Sequence, residues 1–215
     1  MRAYTIKSIF KTIQGEGFNA GIPALFIRFA GCNLWNGLDE DRAKFTVRSE
    51  ARCPAWCDTD FVGGDRVTCN ELLTRVRAFP APLVVLTGGE PLLQVDEDLI
   101  AGLFMHTHAR VAIETNGSKE VHVSPRLRAD PRLWVTLSPK LPRDQIALAH
   151  ADEIKVVYPA YDPAEYSYFP ADHYYVSPQA GDGRSFRNEE AAAAYVQANP
   201  QWRLSLQQHK VLDIP

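Results

Sequence analysis

Apolar positions recur along the chain in two periods, and the changes from one to the other mark out its elements. Ile6 to Phe10 alternates weakly and leads into Gln14-Gly15-Glu16-Gly17-Phe18-Asn19-Ala20-Gly21, a glycine-punctuated loop. Ala24 to Ala30 then reads as a buried strand, interrupted by a single charge at Arg28. Thr68 predicts an N-cap for a helix running to about Phe79, with Leu72, Leu73 and Val76 on one face and Pro80 and Pro82 ending it. A wholly apolar strand, Leu83 to Leu86, runs into Thr87-Gly88-Gly89-Glu90-Pro91. The same unit recurs as a helix from about Asp96 to His108, a strand Val111 to Glu114 and a turn at Asn116-Gly117. Further strands are expected at Leu133 to Leu137, Glu153 to Val157, Tyr174 to Val176 and Arg203 to Leu206, with a helix from about Asn188 to Ala198.

Strands alternating with helices predict an α/β fold whose strands pair in parallel through right-handed crossovers. About seven strands and three or four helices are too few for an eight-fold barrel, so the expected architecture is an incomplete, open, TIM-like barrel, built as one domain over residues 1–215. No internal repeat or linker divides the chain. In such sheets active residues gather at the carboxyl ends of the strands. Gly31-Cys32, Thr87 to Glu90, Glu114 to Asn116, Ser138-Pro139-Lys140 and Ser177 to Asp182 all follow apolar strands, and one rim could hold them all.

Composition removes several classes of partner. With 23 basic and 26 acidic residues among 215, the net charge of −3 offers no footprint for a nucleic-acid backbone or an anionic membrane. The longest apolar stretches fall far below a membrane span. The amino-terminal residues carry no export signal, so a cytoplasmic location is expected. In a reducing compartment the four cysteines, Cys32, Cys53, Cys57 and Cys69, are not a disulfide framework by default.

Cys32 closes a strand, and Cys53-Pro54-Ala55-Trp56-Cys57-Asp58-Thr59 comes twenty residues later. Three thiolates near one strand end suit a soft metal centre that leaves one iron open for a ligand. Two other readings stand beside this one. The thiols could be small buried hydrophobes. They could also bind zinc, although intervals of 20, 3 and 11 residues lack the paired knuckles of structural zinc sites. Cys69, at the start of the amphipathic helix, is more simply a packing residue.

The cysteines followed by Gly88-Gly89-Glu90-Pro91, with Cys57-Asp58-Thr59 and the early Gln14-Gly15-Glu16-Gly17, resemble the 7-carboxy-7-deazaguanine synthase (QueE) family of the radical S-adenosylmethionine (SAM) superfamily. The resemblance runs from the first loop to the last residue. It implies ring contraction of 6-carboxy-5,6,7,8-tetrahydropterin to 7-carboxy-7-deazaguanine with loss of ammonia, a lyase step toward queuosine and other deazapurines. It also implies a [4Fe-4S] cluster, SAM and Mg2+, with SAM cleaved to a radical that abstracts hydrogen from C6 of the pterin and then regenerated. A flavodoxin-like or ferredoxin-like electron donor and a homodimer are implied as well.

Carried over residue by residue, the resemblance gives the cluster to Cys32, Cys53 and Cys57. The spacing departs from the superfamily's Cys-x3-Cys-x2-Cys, and Pro54 stands where the last interval would place a thiol. Closing a loop of 20 rather than 3 residues costs only roughly 1.7 kcal/mol, which metal–thiolate bonding worth on the order of 10 kcal/mol absorbs. The excursion from Asn33 to Arg52 carries four acids and four bases and is expected to be a solvated surface insertion. SAM contacts fall on Trp56, Cys57, Asp58, Gly89, Glu90, Ser138, Pro139, Lys140, Gln179, Ala180, Gly181 and Asp182, with Glu90 as an acceptor for the SAM ammonium. Substrate contacts fall on Ile13, Gln14, Gly15, Glu16, Arg28, Thr87, His209 and Pro215, and Thr59 is the Mg2+ ligand. A buried charge within a strand is costly unless paired, which by itself singles out Arg28. Residues 207–215, ordinarily a frayed tail, are expected to fold into the site. The rival readings are a radical SAM activating enzyme acting on a protein partner, which has no use for the first loop, Thr59 or the tail, and a zinc-stabilised binding protein without catalytic activity.

Overall fold

A computed structural model describes residues 2–44, 53, 57–180 and 185–215. Its strands are β1 (Ala3–Ile13), β2 (Pro23–Phe29), β3 (Asp65–Thr68), β4 (Leu83–Gly88), β5 (Arg110–Thr115), β6 (Leu133–Leu137), β7 (Ala151–Tyr158), β8 (Ala171–Pro178) and β9 (Arg203–Leu204). The helices are α1 (Cys69–Ala78), α2 (Glu97–His106), α3 (Pro125–Arg128), α4 (Ser185–Ala198) and α5 (Gln208–Val211). Local chemistry fixes the starts of the first two helices. Thr68 and Glu71 form a reciprocal capping box at α1, and the Asp96 side chain accepts from the Leu99 amide at α2.

All nine strands join one sheet in the order β3-β1-β2-β4-β5-β6-β7-β8-β9. From β2 to β9 every pairing is parallel, and only β1 runs antiparallel to its neighbours. The architecture is the expected incomplete barrel, a mostly parallel sheet with few helices. Nine strands form among the described residues where about seven were expected, and one has no counterpart in the pattern. That strand is β3, whose sequence Asp-Arg-Val-Thr has a single apolar residue and forms only by pairing with β1.

The two faces of the sheet have separate tasks. Leu25, Ile27, Val84, Leu86, Val111 and Ile113 pack outward under α1 and α2, while Val135, Leu137, Ile154, Val156 and Val176 pack beneath a second cluster containing Trp202. Each such fully buried aliphatic side chain contributes roughly 1.5–3 kcal/mol, which makes this face the stabilising one. The inner face holds only a small apolar cluster, Ala24, Leu83, Val85 and Ala112, backed by Phe26 and Trp134. Above that cluster the row turns polar: Arg28 pairs with Thr87, and Glu114, Thr136, Glu153 and His173 are successive partners across β5 to β8.

Within residues 33–44, Trp35 is buried, 2% exposed, and lies beneath the Arg42 guanidinium at 5.2 Å, while Leu34, Gly37, Asp41 and Arg42 are half-buried. Residues 45–52 lie outside the described residues.

Candidate active site

The inner face opens into a cavity of about 500 Å3. Its walls come from distant parts of the chain: Phe10, Thr12, Ile13, Gln14 and Glu16 from β1 and the first loop, Phe26 and Arg28 from β2, Thr87 from β4, and Glu114 and Lys155 from β5 and β7. Asp58, Thr59 and Asp60 close one side, and His209, Lys210 and Pro215 close another. Seven of the eight residues expected to meet substrate therefore line one space, together with Thr59. The eighth, Gly15, has a different surrounding. Its carbonyl accepts from the Gln208 amide at 3.1 Å, and a Cβ there would lie 2.9 Å from the His209 backbone nitrogen, so the tail packs directly on this glycine. The tail is held further by Gln207 Nε2 donating to Glu16 at 2.7 Å, by Lys210 paired with Asp58 at 2.6 Å, and by Thr12 donating to the Pro215 carbonyl.

Beneath the cavity lies a charge network that no sequence motif pointed to. The Lys155 ammonium, 8% exposed, meets Glu16 and lies 3.2 Å from Glu114, whose other oxygen accepts from Gln14 Nε2 at 3.2 Å. Glu153 stands two residues away on the same face of β7, accepting from Thr136 and from the Phe18 amide. Burial alone would raise the Glu16 carboxyl, but Lys155, Gln207 and His209 bring it down to about 2. Burial wins at Glu114 and Glu153, whose carboxyls rise above the usual range. Lys155 is also opposed by burial, yet the three carboxylates raise it and keep it charged. The same signal that picked out Arg28, a charge alternating with apolar residues in a strand, was present in Glu153-Ile154-Lys155. Burial depresses Arg28, with Asp58 and Asp60 partly compensating.

A second, smaller cavity of about 210 Å3 adjoins the first and shares Glu16, Asp58, Thr59, Lys155 and Gln207 with it. Its lining also includes Cys53, Cys57, Ser138, Lys140, Ser177 and Ala180. The Cys57 amide donates to the Cys53 carbonyl at 2.8 Å, which puts both thiols on one turn. A hydrogen bond between them favours the thiolate at Cys57 and disfavours it at Cys53, and Lys140 favours it at both. Burial raises Cys32, which reaches the same neighbourhood, with Asn116 Nδ2 3.9 Å from its sulfur. Among the described residues, no group of three or more His, Cys, Asp or Glu side chains is drawn together as a metal cage. The donor chemistry nevertheless fits a cluster: three soft ligands from two segments, with an ammonium beside them.

No protein-family model matches the chain. The 7-carboxy-7-deazaguanine synthase of Burkholderia multivorans is 41% identical to it over 228 residues, spanning 99% of each chain. The chain belongs to the 7-carboxy-7-deazaguanine synthase family. The enzyme of the same name from Bordetella pertussis is also 41% identical, over 99% of this chain and 100% of its own. The crystal structure of QueE from Escherichia coli shares the fold with a TM-score of 0.66 at 25% identity, covering 95% of this chain and 94% of that one.

In this 7-carboxy-7-deazaguanine synthase homologue, Glu90 is 0% exposed, and its carboxylate accepts from the Leu92 amide at 3.0 Å, the Thr115 hydroxyl at 2.8 Å and the Asn116 amide at 2.8 Å. It ties the β4 loop to the end of β5. A Cβ at Gly88 or Gly89 would collide with the backbone of Phe29 or Gly31, so both glycines also answer to packing against the end of β2. Ser138 donates its amide to the Thr115 carbonyl at 2.8 Å, Pro139 is buried, and Gln179 donates its amide to the Tyr158 carbonyl at 2.7 Å. Trp56, Gly181 and Asp182 lie outside the described residues. Cys69 packs against the outer core, apart from the other three thiols.

Proposed function

We propose that the chain converts 6-carboxy-5,6,7,8-tetrahydropterin to 7-carboxy-7-deazaguanine with loss of ammonia, as a radical SAM lyase of queuosine and 7-deazapurine biosynthesis. The observation that carries this reading is the first cavity, where a single space offers a cation for a carboxylate and acceptors for an amino edge. Arg28 supplies the cation. Gln14 both donates and accepts, and Glu16, ionised down to about pH 2, accepts from a guanidine-like edge. Phe10 and Phe26, whose rings stack 5.4 Å apart, form an apolar wall beside them. The tail, residues 207–215, closes the space on the side of the first loop, so that His209 and Pro215 face the substrate.

On the same reading Cys32, Cys53 and Cys57 hold a [4Fe-4S] cluster, and SAM occupies the second cavity against Ser138, Lys140, Ala180 and Asp58. Cluster and SAM together supply the one-electron chemistry that removes hydrogen from C6. Thr59, on the wall shared by the two cavities, offers a hydroxyl to Mg2+, a cation that keeps several waters and needs few protein ligands. The protein's own part is to orient the pterin and exclude water. The chain is read as one domain with a surface insertion at 33–52. It is further read as a cytoplasmic homodimer served by a flavodoxin-like or ferredoxin-like donor. Titrating the carboxypterin into the protein tests the assignment: Arg28→Met should weaken binding at least tenfold while the 6-decarboxylated pterin loses little, and equal losses for both ligands would refute it.

A further inference from the structure

Glu153 is a buried carboxylate for which the cavity has no direct use. It is 1% exposed and lies outside the lining of both cavities, and Lys155 already meets two other carboxylates. A third acid beside one ammonium adds repulsion, so its place in the fold calls for a separate reason. Its two oxygens supply one. Oε2 accepts from the Phe18 amide at 2.7 Å, and Oε1 accepts from the Thr136 hydroxyl at 2.9 Å. Gly17, at φ +67°, passes so close that a Cβ would strike the carboxylate. The loop is thus bent over Glu153, and the residue just before the bend is Glu16.

The neighbours fix the same bend. The Phe18 ring stacks over both Trp134 at 4.7 Å and His173 at 4.5 Å, which lie side by side 5.7 Å apart, the Gly17 amide donates to Ser205 at 2.9 Å, and Asn19 accepts from Arg110 at 3.0 Å. Glu153 links this floor to the row of charges under the cavity. We propose that Glu153 is a positioning residue: by holding the Gly17–Phe18 backbone it sets the height and direction at which Gln14 and Glu16 meet substrate. The proposal rests on the functional reading above for the identity of that substrate, and on geometry alone for the anchoring of the loop.

Two variants separate this role from bulk stability. In Glu153→Gln the amide oxygen still accepts from Phe18 and the amide nitrogen can donate to Thr136, whereas Glu153→Ala removes both bonds. Amide hydrogen exchange and ligand titrations are to be measured on the full chain of each. In Glu153→Ala, exchange at Phe18 and across residues 14–21 should speed up at least a hundredfold. Its dissociation constant for the carboxypterin should rise about tenfold with SAM affinity within twofold, and Glu153→Gln should restore both readouts to within threefold. Unchanged loop exchange in Glu153→Ala overturns the proposal. So does a Gln variant as impaired as the Ala one, or a parallel loss of SAM and pterin affinity. If the parent itself binds no carboxypterin, the functional reading fails, and the exchange measurement still decides the anchor.

Discussion

Glu16 carries charge in a place where burial discourages it. The Lys155 ammonium, Gln207 and His209 hold its carboxyl at about 2, below its ordinary 4.5. A carboxyl lowered by folding contributes stability that is complete above the unfolded value and lost as pH falls through the folded one. The parent chain should therefore lose stability between about pH 4.5 and pH 2 that Glu16→Gln does not lose, and the gap between the two should be constant above about pH 5. Urea midpoints measured across that range check this, and parallel curves would contradict it. Glu114 and Glu153 act with the opposite sign, since burial raises them and their ionisation on going above pH 4.5 works against folding. Residue roles were legible to unequal degrees. Arg28, Thr87 and Thr59, which the resemblance assigned to substrate and Mg2+, line one cavity. The bonds by which the Glu90 carboxylate knots two loops together were not legible, because a carboxylate after two glycines looks the same in sequence with or without them. Lys155 was visible as a charge in a strand, but its partners come from β5 and the first loop, which no local pattern connects.

The elements that matter most for the site are the first loop and the tail, and they meet at Gly15. A methyl group there has no room beside His209. Gly15→Ala should raise the KM for the carboxypterin at least tenfold and speed proteolytic cleavage within 207–215, leaving SAM affinity unchanged; slow cleavage with a normal KM would show that the tail docks some other way. The cysteine turn invites a parallel test: Cys53→Ala should abolish iron and sulfide incorporation, and Cys69→Ala should leave it intact, as read from metal content and the visible spectrum. Helices α1 and α2 were readable from their caps and apolar spacing, because those interactions are local. Strand β3 was not, since pairing across some sixty residues creates it. Nor was the burial of Trp35 inside a segment rich in charge.

At the scale of the whole molecule, one sheet divides its labour between its faces. Apolar residues on the outer face bury against helices and supply stability. The inner face gives up that gain to hold Arg28, Glu114, Glu153 and Lys155, and each of these is compensated by a named partner or a neighbouring charge. The alternation of strand and helix was enough to predict a mostly parallel, incomplete barrel, because that architecture follows from order along the chain. The way the first loop turns back over the inner face was not predictable, because it depends on contacts between residues more than a hundred positions apart. The central claim is that this inner face contracts a carboxypterin. The direct test is to incubate the anaerobically purified, reduced, cluster-loaded chain with 6-carboxy-5,6,7,8-tetrahydropterin, SAM and Mg2+, and to follow 7-carboxy-7-deazaguanine and ammonia. Equal amounts of both, with far less SAM consumed than product formed, is the predicted result. An intact cluster and bound SAM without any deazaguanine would contradict it.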